Sequence, residues 1–274
     1  MSKSACSSHY IEVAPHIKLY VRDWGSGKPI LFIHGWPLNH AMFEYQFVKF
    51  PALGYRCIGI DMRGTGKSDA PWGPYTYDMF ADDIKAVIDA LALKDIILAG
   101  FSMGGAMTLH YLARYNNYKV SKVLFLAAAA PLFTQRSDFP YGFTQVEVTQ
   151  LINSSYQDRP SMIAGCGEIF FNKKKSPSFM NWIQDMCMSS TPNATAEWLI
   201  TLRDADLRAD MAKVTVPTAI FHGKKDKICP FEFGETMHKN IKGSKLVVFE
   251  ESGHGLWHDE LEKFNKEFLQ FASE

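Results

Sequence analysis

Four short apolar runs do most to limit what this chain can fold into: Pro29 to His34 (PILFIH), Cys57 to Ile60 (CIGI), Ile96 to Ala99 (IILA) and Val123 to Leu126 (VLFL). Each is too short for a helix and lacks the polar alternation of a strand with one wet face. They read as strands buried on both sides. Tyr77 to Leu93, between the second and third runs, places Phe80, Ile84, Val87, Ile88 and Leu91 on one helical face at spacings of three and four. Strands separated by amphipathic helices pair in parallel through right-handed crossovers. Upstream, Tyr10 to Val13 and Lys18 to Trp24 read as a hairpin around Pro15-His16, leading to a turn at Gly25-Ser26-Gly27.

The alternation lapses from about Pro131 to Met211, where helix-like pieces such as Trp182 to Met188 and Ala196 to Leu202 replace strand-like runs. It resumes with Thr218 to Phe221 (TAIF), Leu246 to Phe249 (LVVF) and a closing amphipathic helix carrying Leu261, Phe264, Phe268, Leu269 and Phe271. The expected architecture is α/β: a mostly parallel sheet of about eight strands with helices on both faces. Residues 1–130 and 212–274 supply the core, and 131–211 form a helical insert. Within the insert, Lys173-Lys174-Lys175 reads as a solvated turn. Trp182 and Trp198 read as helix-packing residues, with one or two such aromatics expected to reach a pocket.

Composition narrows the function classes. Hydrophobic residues at 47% and charged residues at 21% exclude a disordered chain. Twenty-nine basic residues balance 29 acidic ones without a basic stripe, which argues against nucleic acid as a partner. The longest apolar run, VLFLAAAAPLF, is too short to span a membrane and is broken by Pro131. The start, MSKSACSSHY, has no apolar core of a secretory signal. Five scattered cysteines without a CxxC pair read as reduced, mostly buried thiols, so a cytoplasmic protein is expected. A homo-oligomer is compatible with this composition.

The sharpest local signal is Gly100-Phe101-Ser102-Met103-Gly104, with Gly105 after it, set between the strand IILA and the helix-like stretch Ala106 to Arg114. A serine at a sharp strand-to-helix turn is strained and crowded; glycines two residues to either side relieve the crowding and leave its hydroxyl exposed. The helix N-terminus beyond it offers unpaired N–H groups to a developing anion. The plainer alternative, a serine N-cap after a glycine-rich loop, does not account for the strand before it. A serine hydroxyl needs a base, and the base a third group to hold it. Asp226, in HGKKD after TAIF, and His254, in SGHG after LVVF, supply both, in the order Ser, Asp, His stated for this architecture. His34-Gly35-Trp36-Pro37 follows PILFIH, and the N–H of Trp36 paired with that of Met103 would make an oxyanion hole. His34 itself reads as a structural hydrogen-bonding residue.

Two lookalikes fail on inspection. Gly64-Thr65-Gly66-Lys67-Ser68 resembles the end of a phosphate loop, but Asp61 stands where its first glycine belongs and Pro71 interrupts the required helix. His254 and His258 have i, i+4 spacing without the glutamate of a zinc-protease helix, and Gly255 weakens any helix there. No metal or cofactor is called for.

The chain resembles the α/β-hydrolases over nearly its whole length. Within them it is most similar to the cofactor-free bacterial haloperoxidases, or perhydrolases, and their arylesterase relatives. The residues that carry the likeness are FIHGWPLN (Phe32 to Asn39), DMRGTGKSDAPW (Asp61 to Trp72), YTYDMFADDI (Tyr75 to Ile84), GFSMGG (Gly100 to Gly105) and the Asp226 and His254 loops. The resemblance implies a Ser102–Asp226–His254 triad, Trp36 and Met103 as oxyanion donors, and a cap over an acyl pocket. The implied reaction is cleavage of small, largely apolar esters through an acyl-enzyme. Hydrogen peroxide could also take the place of water, with Pro37 setting the Trp36 backbone. HGKKDKICP and the aromatic, lysine-bearing cap depart from the family pattern and bear on substrate choice. A signalling protein that only binds its ligand, and a carbon–carbon bond hydrolase or lactonase, would use the same residues.

Overall fold

A computed structural model describes residues 6–274. The first part of the N-terminal stretch read for a secretory signal, residues 1–5, and the Cys6 side chain lie outside the described residues. Eight strands form one sheet: β1 (Cys6–Ala14), β2 (Ile17–Gly25), β3 (Lys28–Ile33), β4 (Tyr55–Ile60), β5 (Ile96–Phe101), β6 (Val120–Leu126), β7 (Thr218–Gly223) and β8 (Lys245–Phe249). Their spatial order is 1-2-4-3-5-6-7-8. The pairs β1–β2 and β2–β4 are antiparallel; every other pair is parallel. The hairpin turns at Pro15-His16, where His16 takes φ 64°.

The helices are α1 (Glu44–Lys49), α2 (Tyr77–Ala90), α3 (Met103–Arg114), α4 (Gln145–Glu168), α5 (Pro177–Met188), α6 (Pro192–Asp204), α7 (Phe231–Asn240), α8 (Leu256–Asp259) and α9 (Leu261–Ser273). Successive residues of a strand point to opposite faces, and β3 shows the result. Leu31 and Ile33 join the core beneath α2, α3 and α7, whereas Ile30 and Phe32 join the core beneath α1 and α9. On α2 the predicted stripe Phe80, Ile84, Val87 and Ile88 is fully buried. That helix stops at Ala90, short of the expected Leu93, because the chain turns at Ala92 (φ 48°) to bury Leu93, whose amide donates to the Ile88 carbonyl at 3.0 Å. No helix of the described residues is long and apolar enough to cross a membrane.

Between β6 and β7 the chain leaves the sheet and builds α4, α5 and α6. Trp198 of α6 is fully buried against Phe80 and stacks on His34 at 5.8 Å, locking this layer to the sheet. The Gly64–Ser68 turn wraps a carboxylate instead of presenting a phosphate cradle: Asp61 accepts from the amides of Lys67 and His40, each at 2.9 Å. One expectation needs correction. Lys173 and Lys174 are exposed, but the Lys175 side chain is only 6% exposed, because it turns inward to a buried carboxylate, Asp259, at 2.7 Å.

Candidate active site

Three strands of the parallel part of the sheet end at one edge, and each releases one polar side chain there, as ligand-binding residues do at the carboxyl ends of α/β strands. Ser102 follows β5, Asp226 lies three residues beyond β7 and His254 five beyond β8. Ser102 occupies φ 53°, ψ −123°, a strained position for a residue with a side chain. Close packing enforces it. A Cβ on Gly104 would lie 2.4 Å from the carbonyl oxygens of Ile33 and His34, and one on Gly100 would lie 2.4 Å from the Gly104 carbonyl. The glycines thus let β5, α3 and the β3 loop approach one another, and α3 begins at Met103, ahead of the expected Ala106.

The side chains meet. Ser102 Oγ lies 2.8 Å from His254 Nε2, and His254 Nδ1 lies 2.8 Å from Asp226 Oδ2. Asp226 Oδ1 accepts from the amides of Ile228 and Cys229 at 2.8 and 2.9 Å, which fixes the carboxylate plane. The imidazole is buried between Phe101 and Phe170, at centroid distances of 4.8 and 5.1 Å. Ser102 is 7% exposed, enough to open its hydroxyl onto a cavity. Met103 is the first residue of α3, and Trp36 follows Gly35, whose added Cβ would stand 2.7 Å from that of Ser102. Among the described residues neither amide has a hydrogen-bond acceptor. The Trp36 indole donates to the Thr195 carbonyl of α6 at 2.9 Å, and the Trp36–Pro37 peptide is cis.

Two other histidines serve the scaffold. His34 accepts at Nε2 from the Met62 amide (3.0 Å), with the Thr65 hydroxyl at 3.1 Å, and burial pushes its pKa down to about 4. His258 packs on Phe179 at 4.0 Å, away from Ser102. Cys57, Cys187 and Cys229 are buried and Cys166 half-buried, all four as free thiols. Burial pushes the Cys57 and Cys187 thiols up to about 12.

The cavity above Ser102 measures about 240 Å³. Trp36, Pro37 and His254 form its floor; Phe133, Phe143, Leu151, Ile163 and Met180 form its apolar roof. Trp182 and Trp198 do not line it, so the aromatics that reach it are Trp36, Phe133, Phe143 and Phe170. Individual roof residues were not legible in the sequence, because an apolar residue facing a cavity looks like one facing a core. His222 was also missed, although a polar residue closing the otherwise apolar run TAIF is a usable signal. Its Nε2–H donates to the Cys229 carbonyl at 2.8 Å, steadying the turn that holds Asp226. Burial lowers its pKa, which keeps it neutral.

A family model described as the alpha/beta hydrolase fold matches residues 28–261. The chain belongs to that family. Among α/β-hydrolases it is 47% identical to the AB hydrolase superfamily protein YisY of Bacillus subtilis, over 97% of this chain and 99% of that one. An esterase from Exiguobacterium antarcticum superposes with a TM-score of 0.96 at 48% identity, covering 98% of this chain and 100% of that one. A bromoperoxidase from Bacillus anthracis superposes with a TM-score of 0.94 at 32% identity, with coverage of 98% and 100%. The expected fold and the expected likeness to haloperoxidases and esterases are thereby established. This α/β-hydrolase places its three sequence-predicted polar residues in one hydrogen-bonded chain whose serine and histidine line an apolar cavity.

Proposed function

We propose that the protein is a serine esterase acting on small, largely apolar carboxylic esters. The supporting observation is the unbroken chain from Ser102 through His254 to Asp226, with both links at 2.8 Å, opening into the cavity. Ser102 Oγ attacks the ester carbonyl as its proton passes to His254 Nε2. Asp226 accepts the Nδ1–H bond and stabilises the imidazolium. The tetrahedral oxyanion is held by the N–H groups of Trp36 and Met103, each such donor contributing about 3 kcal/mol in the transition state. The imidazolium then protonates the leaving alkoxide, and water activated by the same histidine releases the acid. The cavity is smaller than the 300–1,000 Å³ typical of drug-sized ligands, which favours short acyl groups.

Ser102→Ala tests the role. It should leave the folded spectrum intact, abolish labelling by a fluorophosphonate and reduce turnover of p-nitrophenyl acetate by at least about 10³-fold. Full turnover by that variant would refute the assignment. Multiple turnover by the wild type separates the enzyme from a ligand-binding protein with a vestigial triad. A screen of matched esters and lactones separates esterase from lactonase.

A second reading is perhydrolysis, in which hydrogen peroxide in place of water attacks the acyl-enzyme, forming the peracid and freeing Ser102. It is favoured by the likeness to the bromoperoxidase and by Pro37, which lines the cavity beside Ser102. Pro37→Leu should shift the partition of the acyl-enzyme towards water. An unchanged ratio of peracid to acid would dispose of this reading.

A further inference from the structure

A buried ion pair outside the triad joins the insert to the loop that carries the histidine. Asp259, the last residue of α8, has a fully buried side chain, and its carboxylate is surrounded by four donors. Oδ2 accepts from the amides of Asn172 at 2.8 Å and Gly253 at 2.9 Å. Oδ1 accepts from the Lys173 amide at 3.2 Å and from Lys175 Nζ at 2.7 Å. Gly253 immediately precedes His254, whereas Asn172, Lys173 and Lys175 belong to the stretch between α4 and α5. On the far side of His254, the Gly255 amide donates to the Phe170 carbonyl at 2.9 Å. His254 is therefore bracketed by one direct bond to that segment, from Gly255, and one relayed through the Asp259 carboxylate, from Gly253, and the Phe170 ring also meets the imidazole edge to face.

The glycines of SGHG follow from this contact. A Cβ on Gly253 would stand 2.8 Å from the Asn172 amide nitrogen, and one on Gly255 would stand 2.1 Å from the Phe171 ring. The histidine loop can lie against the 170–173 segment only because both neighbours of His254 lack side chains. A buried ion pair is a poor source of stability, since well-packed apolar residues of the same volume often do as well. What a four-donor carboxylate supplies here is direction: it fixes two separate backbone segments relative to one another.

We propose that Asp259, with Lys175 as its counter-ion, is a positioning residue for His254, setting the imidazole at hydrogen-bonding distance from Ser102 by clamping the histidine loop to the insert. Unlike Asp226, it does not touch the imidazole. The proposal rests on the esterase reading for its kinetic readout. It predicts a loss in kcat, because a base displaced from its nucleophile slows proton transfer while the apolar cavity still binds the ester. A strut that merely held the roof in place would instead raise KM.

The test compares Asp259→Asn and Lys175→Met with the wild type on p-nitrophenyl acetate and butyrate, at a temperature where all three are folded. Asp259→Asn should lower kcat by about tenfold or more with KM changed less than about threefold, since small misplacements of a catalytic group cost up to 10²-fold. Lys175→Met, which leaves the three amide donors on the carboxylate, should lower kcat by a smaller factor of about three. The proton that His254 Nδ1 shares with Asp226 gives a low-field NMR resonance that does not depend on turnover. Both substitutions should broaden or shift it. Wild-type kcat in both variants, or a raised KM at unchanged kcat, would overturn the proposal. If Asp259→Asn does not fold, Lys175→Met decides alone: a wild-type kcat and an unmoved resonance overturn it. A wild type that turns over no ester removes the esterase reading instead, and the resonance then judges the clamp by itself.

Discussion

Gly104 in α3 and Gly165 in α4 are both helical, and they face opposite circumstances. Gly104 lies beneath Ser102, where an added methyl would strike two main-chain carbonyls at 2.4 Å. Gly165 is exposed on the insert, where an added methyl would meet nothing within 4 Å. The sheet side of the active site is shaped by backbone approaching backbone, which tolerates no substitution. The insert is shaped by side chains packed loosely enough to leave a cavity. The two regions also differ in titratable chemistry: none of the 9 histidines of the chain falls within residues 131–211.

Three experiments bear on this contrast. Gly104→Ala should destabilise the protein by about 3 kcal/mol or more, or prevent folding, because the obstruction is main chain and cannot relax by changing a rotamer. Chemical denaturation reads this directly, and a loss under 1 kcal/mol would show the elbow to be softer than its geometry implies. The next effect is on pH. His34 has its pKa lowered by burial to about 4, so between that value and about 6.5 the unfolded chain binds a proton that the folded chain does not. Stability is therefore present at neutral pH and is lost as pH falls through this window, by about 2 kcal/mol from pH 7 to pH 5. His222, similarly lowered by burial, acts in the same direction. Hydrogen exchange should show the acid-induced loosening around β3 and β7. Protection falling first in α5 and α6 would contradict the assignment of acid sensitivity to the sheet. The smallest effect is expected from Gly165→Ala, which should raise stability by about 0.5–1 kcal/mol through helix propensity alone, with turnover unchanged. The same substitution would then have opposite signs in the two regions.

The parts of the fold that were legible are those in which each residue meets the same surroundings along a whole element. All eight strands were readable: β3 to β7 because a strand between two helical layers is apolar at almost every position, as the wholly buried β5 illustrates, β1 and β2 as a hairpin around Pro15-His16, and β8 as the half-buried apolar run LVVF. The helix α4, the longest in the molecule, was not recognised as one element. Its buried positions, Val148, Ile152, Ser155, Met162 and Ile163, keep helical spacing, but the helical run is broken between them. The break lies at Asp158 (φ −148°, ψ 76°), just before Arg159-Pro160, where the helical path is interrupted. The helix α7 was missed for another reason. Gly234 in its middle lowers helix propensity, yet it is where the helix lies against His222, with an added Cβ only 2.9 Å from that ring. Lys175 was misread because a lysine run looks solvated until a buried carboxylate is placed opposite it.

The sequence by itself determined the eight strands and the order in which Ser102, Asp226 and His254 arrive, because apolar runs and glycine spacing record the local surroundings of each residue. The tertiary structure decided everything that depends on residues far apart in the chain approaching one another. The 2.8 Å contacts among Ser102, His254 and Asp226, the cavity roof and the Asp259 carboxylate spanning two loops join segments up to 152 residues apart. Such contacts leave no periodic trace, since each is set by the whole sheet and its insert closing around one point.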